Sequence, residues 1–347
     1  MKFTLSWLKD YLETDASAQE IAEALTHLGL ELEELSNPAE KLKPFVIAGV
    51  LEARQHPNAD RLRVCIVETG SGSPVQVVCG APNARTGMKG VFAPPGAYIP
   101  GTGIDLKAGN IRGEASNGML LSERELQLSD AHEGIIDLPE DAPVGQPYAA
   151  WAGLDDPVFD VGVTPNRPDA LGIYGIARDL AAKGVGWLRP LDKTPVPGSF
   201  ASPIPVELRF DDPQNTPCPL FAGRYIRGVR NGPSPDWMQR RLRAVGLRPI
   251  SALVDITNYL TYAYARPLHV FDADKVRGAV HARLARDGES IGTLDGKTYA
   301  LDATMTVIAD DNGPEGIGGL VGGAATGVMP ETTNVFLEAA YFDPVRT

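Results

Sequence analysis

The sequence predicts a multidomain α+β protein. Three observations carry that reading. At 347 residues the chain exceeds one ordinary domain, so two or three are expected. Its apolar pattern changes period along the chain. Spacing is helical over the first 35 residues, strand-like in short runs from Phe45 to near Trp151, and mixed after residue 206. A proline-rich tract at residues 190–205 separates the mixed region from what precedes it, as a linker would.

The elements follow in order. Ser6 is placed to cap a short helix bearing Trp7, Leu8, Tyr11 and Leu12. Ser17 and Glu20 form an S-x-x-E capping box. Behind it Ile21, Leu25 and Leu28 recur at helical spacing, and Gly29 suits the stop. From Phe45 the runs FVIAGVLEA, RLRVCIVETG, VQVVCGAP, GVFAPPG and EGIIDLP are divided by Gly, Pro and Asn. Many short strands so punctuated predict a small β-barrel. The segment TPNRPDALGIYGIARDLAAKG reads as a loop opening a helix. Asp169 is its expected cap, and Ile173, Ile176, Ala177 and Leu180 are its apolar stripe. Residues 206–347 alternate strands with one or two helices, of which PDWMQRRLRAVGL is one. The terminus LEAAYFDPVRT has no closing hydrophobic element, so the last domain is expected to continue in the natural protein.

Composition narrows the classes. The chain is 43% hydrophobic and 22% charged, as in a soluble globular protein. No eighteen-residue apolar run exists, so no membrane span is expected. The start MKFTLSWLKDYLE is no secretion signal. Cys65, Cys79 and Cys218 are an odd count without a C-x-x-C pair. They read as buried free thiols in a cytoplasmic protein. The net charge of -12 argues against binding nucleic acid by bulk electrostatics and leaves room for a local basic face. Arg240, Arg241 and Arg243, with Arg248 nearby, could form such a face toward phosphates, or a solvated helix surface.

The densest polar segment is RPISALVDITNYLTYAYARPLHVFDADK, residues 248–275. It gathers Asp255, Thr257, Asn258, His269, Asp272 and Asp274, with one of only five histidines in the chain. Such density marks a site more often than a core. No Ser/His/Asp or Cys/His nucleophile pattern accompanies it, so direct attack by water is the simpler chemistry. The run GIGGLVGGAATG, residues 316–327, is no Walker loop and fails the G-x-G-x-x-G fingerprint. Its glycines predict close approach of backbone to a ligand, with backbone amides as donors to an ester oxygen, or a tight strand–turn–strand. In the barrel, HPNADRLRVCIVETG and VVCGAPNARTG each couple a polar turn to a strand. His56, Asn58, Arg61, Arg63, Asn83 and Arg85 could offer phosphate and base contacts, although the first motif is also a strong turn sequence. Between residues 41 and 149 there are ten Lys/Arg and twelve Asp/Glu, so no basic excess supports the contact reading.

HPNADRLRVCIVETG with VVCGAPNARTGM resembles the tRNA-binding barrel shared by several tRNA-associated proteins. The whole chain resembles the N-terminal part of bacterial phenylalanyl-tRNA synthetase β subunits. The matches are MKFTLSWLKDYL, SNGMLLSERELQL, TPNRPDALGIYGIARDLAA, RPISALVDITNYL, RPLHVFDADKV and IADDNGPEGIGGLVGGAATGV, in family order. The resemblance implies a discontinuous N-terminal α+β domain at residues 1–39 and 152–198. It implies an inserted OB-fold tRNA-binding barrel at residues 40–151, and an editing domain at residues 199–347, incomplete at its end. In that family the editing domain hydrolyses tyrosine wrongly attached to tRNA(Phe). The resemblance further implies an α2β2 assembly with an α subunit that holds ATP and the synthetic site. Magnesium ligands of the β subunit would lie beyond residue 347, with no cofactor or metal in this chain and no membrane. A stand-alone tRNA-binding module, or an inactive scaffold, are the alternatives.

Site residues carry over by motif. Glu338 in FLEAA would read the tyrosine hydroxyl, and His269 in RPLHVFDADK is the editing-site histidine. Thr257 and Asn258 in DITNY would line the same pocket, and Gly319, Gly322 and Gly323 would border it. Asp255, Asp272 and Asp274 are left as caps or salt-bridge partners. The chain departs from the family pattern at Gly318 and Val321, where Ala and Met are usual, and at Ala325 and Thr326, which replace acidic residues. The need for a second site is physical. A pocket shaped for phenylalanine cannot strongly reject an isostere that adds one hydroxyl.

Overall fold

The computed structural model describes residues 1–129, 131–212 and 215–347. By internal contacts the chain divides into two units. One joins Met1–Leu35 to Val158–Thr347, and the other is Ser36–Pro157. No helix among the described residues is long and apolar enough to cross a membrane.

Unit Ser36–Pro157 is built on a five-stranded antiparallel sheet. In spatial order its strands are Met119–Leu120, Lys89–Ala93, Val46–Gln55, Arg63–Glu68 and Val75–Cys79. The ten-residue strand Val46–Gln55 is central and pairs on both sides, with a register shift between Val50 and Glu52 that bends it. Beyond the last strand, Asn117 N donates to Gln76 O at 2.9 Å and Val78 N to Ser116 Oγ at 3.1 Å. These bonds draw the sheet's edges together into a nearly closed barrel. Phe45, Ile47, Val91 and Leu121 are completely buried at one end, and Val67 and Val77 at the other. Each such side chain contributes about 1.5–3 kcal/mol by leaving water. Cys65 and Cys79 are buried free thiols in this sheet. The unit's two ends meet, since Asn37 Nδ2 donates to Asp155 Oδ1 at 2.8 Å.

In the other unit the strand Lys2–Thr4 pairs antiparallel with Val158–Gly162, which also borders Glu31–Ser36. The first helix is Leu5–Lys9, shorter than expected, and its cap is Thr4 rather than Ser6. Thr4 Oγ1 accepts from Trp7 N at 3.2 Å. Leu12 leaves the helix for the strand Leu12–Glu13, which pairs with Trp187–Leu188. The Ser17–Glu20 capping box forms as expected at the helix Ala18–His27, and Gly29 ends it at φ +78. The helix Ile173–Ala182 buries the expected stripe. Its cap is Gly172, not Asp169. Asp169 lies in the one-turn helix Pro168–Leu171, held between Arg167 and Arg178, so its carboxylate is already spent. A Cβ at position 172 would come within 2.4 Å of Ala265 N, which excludes a conventional capping residue. Phe3, Trp7, Leu8, Ile21, Leu25, Phe159 and Ile176 form the core here.

Residues 190–205 contain neither helix nor strand. Arg224 Nη2 donates to Val196 O at 2.7 Å and Arg227 stacks 4.3 Å from the Phe200 ring, so the tract is pinned rather than loose. After it come two sheets. Val206–Arg209 pairs parallel with Val280–Leu284, and the sheet continues antiparallel through Thr306–Ala309, Pro314–Ile317 and Val321–Gly322. The second has Asn334–Tyr341 between Leu220–Arg227 and His269–Asp272. Phe221, Phe271, Phe336, Val280 and Ile308 fill the core they share. The helix Asp236–Ala244 matches the expected PDWMQRRLRAVGL, and Ala252–Tyr264 is a second helix before the His269 strand.

Candidate active site

The three-stranded sheet sets the site by register. His269 pairs with Glu338, which pairs with Gly223 on the other side. Residues opposite one another in antiparallel strands point to the same face. His269 and Glu338 therefore share a face, and the next rung on that face is Phe271 and Phe336. The His269 and Phe271 rings meet edge to face at 4.4 Å, and the Phe271 and Phe336 centroids are 6.3 Å apart. A Cβ on Gly223 would lie 2.1 Å from the Phe336 ring, so only glycine fits there. The result is a carboxylate and an imidazole side by side at the edge of an aromatic core.

Both polar groups are buried without partners. Glu338 is 8% exposed, and its side chain makes no hydrogen bond or ion pair among the described residues. Burial pushes its carboxyl group up to about 7. His269 Nε2 is buried and has no hydrogen-bond partner. Burial pushes the imidazole down to about 4. At neutral pH the histidine is uncharged and the carboxyl group stands between acid and carboxylate. Buried polar atoms are nearly always satisfied in folded proteins. An unsatisfied buried His269 Nε2 beside a carboxyl group with no side-chain partner on one rung of one sheet points to a ligand that meets both.

The glycine run forms a hairpin between Pro314–Ile317 and Val321–Gly322. Gly322 presses on the histidine, since a Cβ there would be 2.3 Å from His269 Cε1. A Cβ on Gly323 would meet Glu315 O at 2.6 Å. Gly319 is at the turn with φ +75, beside Phe342 and Thr347 rather than His269. One expectation needs correction. The Gly323 amide is no free donor to an ester oxygen, because it already donates to Glu315 O at 2.7 Å. These glycines serve close packing.

Thr257 and Asn258 lie mid-helix in Ala252–Tyr264, not in a turn. Packing overrides their weak helix propensity. Thr257 is buried and its Oγ1 donates to Val254 O at 2.7 Å, while Asn258 is half-buried. The helix packs against the His269 strand, yet neither side chain hydrogen-bonds His269 or Glu338. The aspartates are structural. Asp255 accepts from Ser234 Oγ at 2.5 Å and Ile250 N at 2.8 Å, Asp272 from Thr332 Oγ1 at 2.7 Å, and Asp274 from Asn334 Nδ2 at 3.0 Å.

In the barrel, the six residues expected to face RNA separate into two kinds. His56 is 2% exposed, with Nδ1 accepting from Asn58 N at 3.0 Å and Nε2 3.0 Å from Ile111 O. Asn58 Nδ2 donates to Arg112 O at 3.1 Å. Asn83 bonds both Ile135 O and Ile135 N, at 2.7 and 3.0 Å. Arg85 is exposed in a two-pronged pair with Asp137, at 2.8 and 3.2 Å. Arg61 is exposed and Arg63 half-buried, and neither side chain has a hydrogen bond or ion pair among the described residues. Arg112 was not legible from sequence. It is exposed with φ +52 and joins the Asn58 loop through a contact 54 residues apart.

Residues 45–147 match the family model "Putative tRNA binding domain", and residues 217–347 match the "B3/4 domain". The phenylalanine–tRNA ligase beta subunit of Cereibacter sphaeroides is 59% identical over 351 residues, which cover 99% of this chain and 44% of that one. That of Mesorhizobium japonicum is 58% identical, over 100% of this chain and 43% of that one. The chain belongs to the phenylalanine–tRNA ligase β-subunit family. It spans about 44% of the length of the curated relatives it matches. A solved N-terminal fragment of the phenylalanyl-tRNA synthetase β-subunit from Pyrococcus horikoshii is similar at 14% identity and TM-score 0.33, covering 56% of this chain and 58% of that one. Within the family match to the B3/4 domain fall His269, Glu338 and the glycine hairpin. Phe271, Phe336 and Gly223 pack in the core beneath the pair. That support was not legible in the sequence, because strand register is set by long-range pairing.

Proposed function

We propose that this chain carries the tRNA-binding and editing portion of a phenylalanine–tRNA ligase. In this reading the enzyme is a cytoplasmic α2β2 assembly whose α subunit uses ATP and Mg2+ to attach phenylalanine to tRNA(Phe). The present chain hydrolyses tyrosine wrongly esterified to that tRNA. Residues 1–39 with 152–198 are then the N-terminal domain, residues 40–151 an inserted OB-fold, and residues 199–347 the editing domain.

The observation that carries the reading is the unpartnered Glu338 carboxyl group across one rung from the unpartnered His269 Nε2. A tyrosine whose phenol reaches this rung would donate its hydrogen to Glu338. Phenylalanine would leave that buried acceptor unpaired, at a cost of about 1–3 kcal/mol. Uncharged His269 accepts a hydrogen bond from the attacking water or from a ribose hydroxyl. With its proton affinity so reduced it orients that group rather than acting as a strong base. Water adds to the ester carbon, the ribose oxygen leaves, and free tyrosine and intact tRNA result. A stand-alone binding module or a scaffold has no use for this pair.

The test is deacylation of Tyr-tRNA(Phe) by the full assembly. His269→Ala and Glu338→Ala should each slow hydrolysis by on the order of 10- to 100-fold. Glu338→Ala should also lose its preference for tyrosyl over phenylalanyl ester. Unchanged rate and preference in both variants would reject the site.

A further inference from the structure

Behind the glycine hairpin lies a carboxylate that the proposed chemistry does not use. Glu315 is 6% exposed and accepts from Thr326 Oγ1 at 2.7 Å. Thr326 is 1% exposed. Burial raises the Glu315 carboxyl group above its ordinary value. Burying a carboxyl group with a single side-chain partner is costly, so its retention asks for a purpose.

The neighbouring bonds indicate one. Residues 322–327 hang between three elements. Gly322 O accepts from Leu294 N at 3.0 Å, Gly323 N donates to Glu315 O at 2.7 Å, and Ala324 N donates to Gly292 O at 2.9 Å. At the far end Thr326 O accepts from Asp272 N at 2.8 Å, and Asp272 ends the His269 strand. Backbone bonds therefore tie the first half of the segment to its neighbours at Gly322, Gly323 and Ala324 and its second half to the His269 strand at Thr326, and Lys275 Nζ donates to Gly327 O at 2.7 Å. Thr326 Oγ1 to Glu315 is the only side chain to side chain hydrogen bond the loop makes among the described residues. It closes the gap between the sheet strand Pro314–Ile317 and the His269 strand, on the side where Gly322 touches the imidazole.

We propose that Glu315 is a positioning residue, which through Thr326 latches the glycine loop so that Gly322 holds the His269 ring in its working orientation. This rests on the reading of His269 and Glu338 as the hydrolytic pair. The latch acts on the imidazole through packing and touches neither substrate nor water.

The experiment uses the full-length protein in its assembly, with Thr326→Val, Glu315→Leu and Glu315→Gln. Valine and leucine remove one partner of the bond at similar volume, whereas glutamine keeps an acceptor for the threonine hydroxyl. Hydrogen exchange of residues 316–327 reads the latch without reference to activity. Steady-state hydrolysis of Tyr-tRNA(Phe) reads its effect. Thr326→Val and Glu315→Leu should exchange faster and lose kcat by on the order of 10- to 100-fold, with KM within about twofold. Glu315→Gln should keep kcat within about threefold of wild type. Wild-type exchange or wild-type kcat in Thr326→Val would overturn the latch, and so would a Glu315→Gln variant as impaired as the leucine one. If Glu315→Leu does not fold, the threonine variant decides alone. Should the wild-type assembly hydrolyse no tyrosyl ester, the functional reading falls, while the exchange data still judge the latch.

Discussion

Glu338 keeps its proton to higher pH in the folded protein than in the unfolded chain, from 4.5 to about 7. The folded state then binds more protons between those values. Its contribution to stability is fully present below pH 4.5 and is lost as pH rises through about 7, a change of about 3 kcal/mol. His269 has the opposite sign. Its imidazole falls from 6.5 to about 4, so stability is lost as pH falls through that window. Between roughly pH 4.5 and 6.5 the two slopes oppose one another, and above that only the carboxyl slope remains. Glu338→Gln should therefore be more stable than wild type by about 2–3 kcal/mol at pH 8 and equal to it at pH 4. Urea unfolding across pH measures this, and a pH-independent difference would contradict it. The sequence singled out both residues, His269 by its polar neighbourhood and both by the motifs they share with the family. Their place on a single rung was not, because strand register joins positions 269 and 338 only through long-range pairing.

At the scale of elements, the helix Asp236–Ala244 was open to two sequence readings, a phosphate-binding face or a solvated one. The structure divides its arginines. Arg241 is paired with Asp10 at 2.5 and 3.1 Å, bonds Tyr259 Oη at 3.2 Å, and lies 5.8 and 5.5 Å from the Trp7 and Trp237 rings. Arg240 is exposed with no hydrogen bond or ion pair among the described residues. Arg241→Ala should cost about 1–2 kcal/mol in thermal unfolding, between exposed and fully buried pairs. Arg240→Ala should leave stability within about 0.5 kcal/mol. If that arginine meets phosphate, its loss also lowers the salt slope of tRNA binding by about one. Equal stability of the two variants would refute the division. Local signals such as the Ser17 capping box were legible because donor and acceptor lie three residues apart. Asp169 misled because two distant facts outweighed its propensity, namely the arginines that bind it and the backbone of Ala265 beside Gly172.

Across the whole molecule, charge is distributed very unevenly. Residues 224–266 hold eight arginines and two aspartates in a chain whose net charge is -12. A bulk charge argument therefore speaks about solubility and leaves any basic face to be found locally. The change from helical to strand period near Phe45 was legible, since periodicity is a local property of side chains. Which distant segments return to one core was not. The Asn37–Asp155 bond has a practical meaning for the chain's construction. The barrel unit brings its own two ends side by side, so its presence demands almost no span from the unit that it interrupts. The entropy of holding those ends together is met inside the barrel's own folding, and would otherwise grow with loop length. The host is thus prepared to accept a far shorter bridge. Replacing residues 36–157 by a few glycines and serines also removes Trp151, and should leave the remaining unit folded, with Trp7 buried and no red shift in the emission of the three remaining tryptophans. A red-shifted tryptophan spectrum in that variant would show that the host depends on its guest.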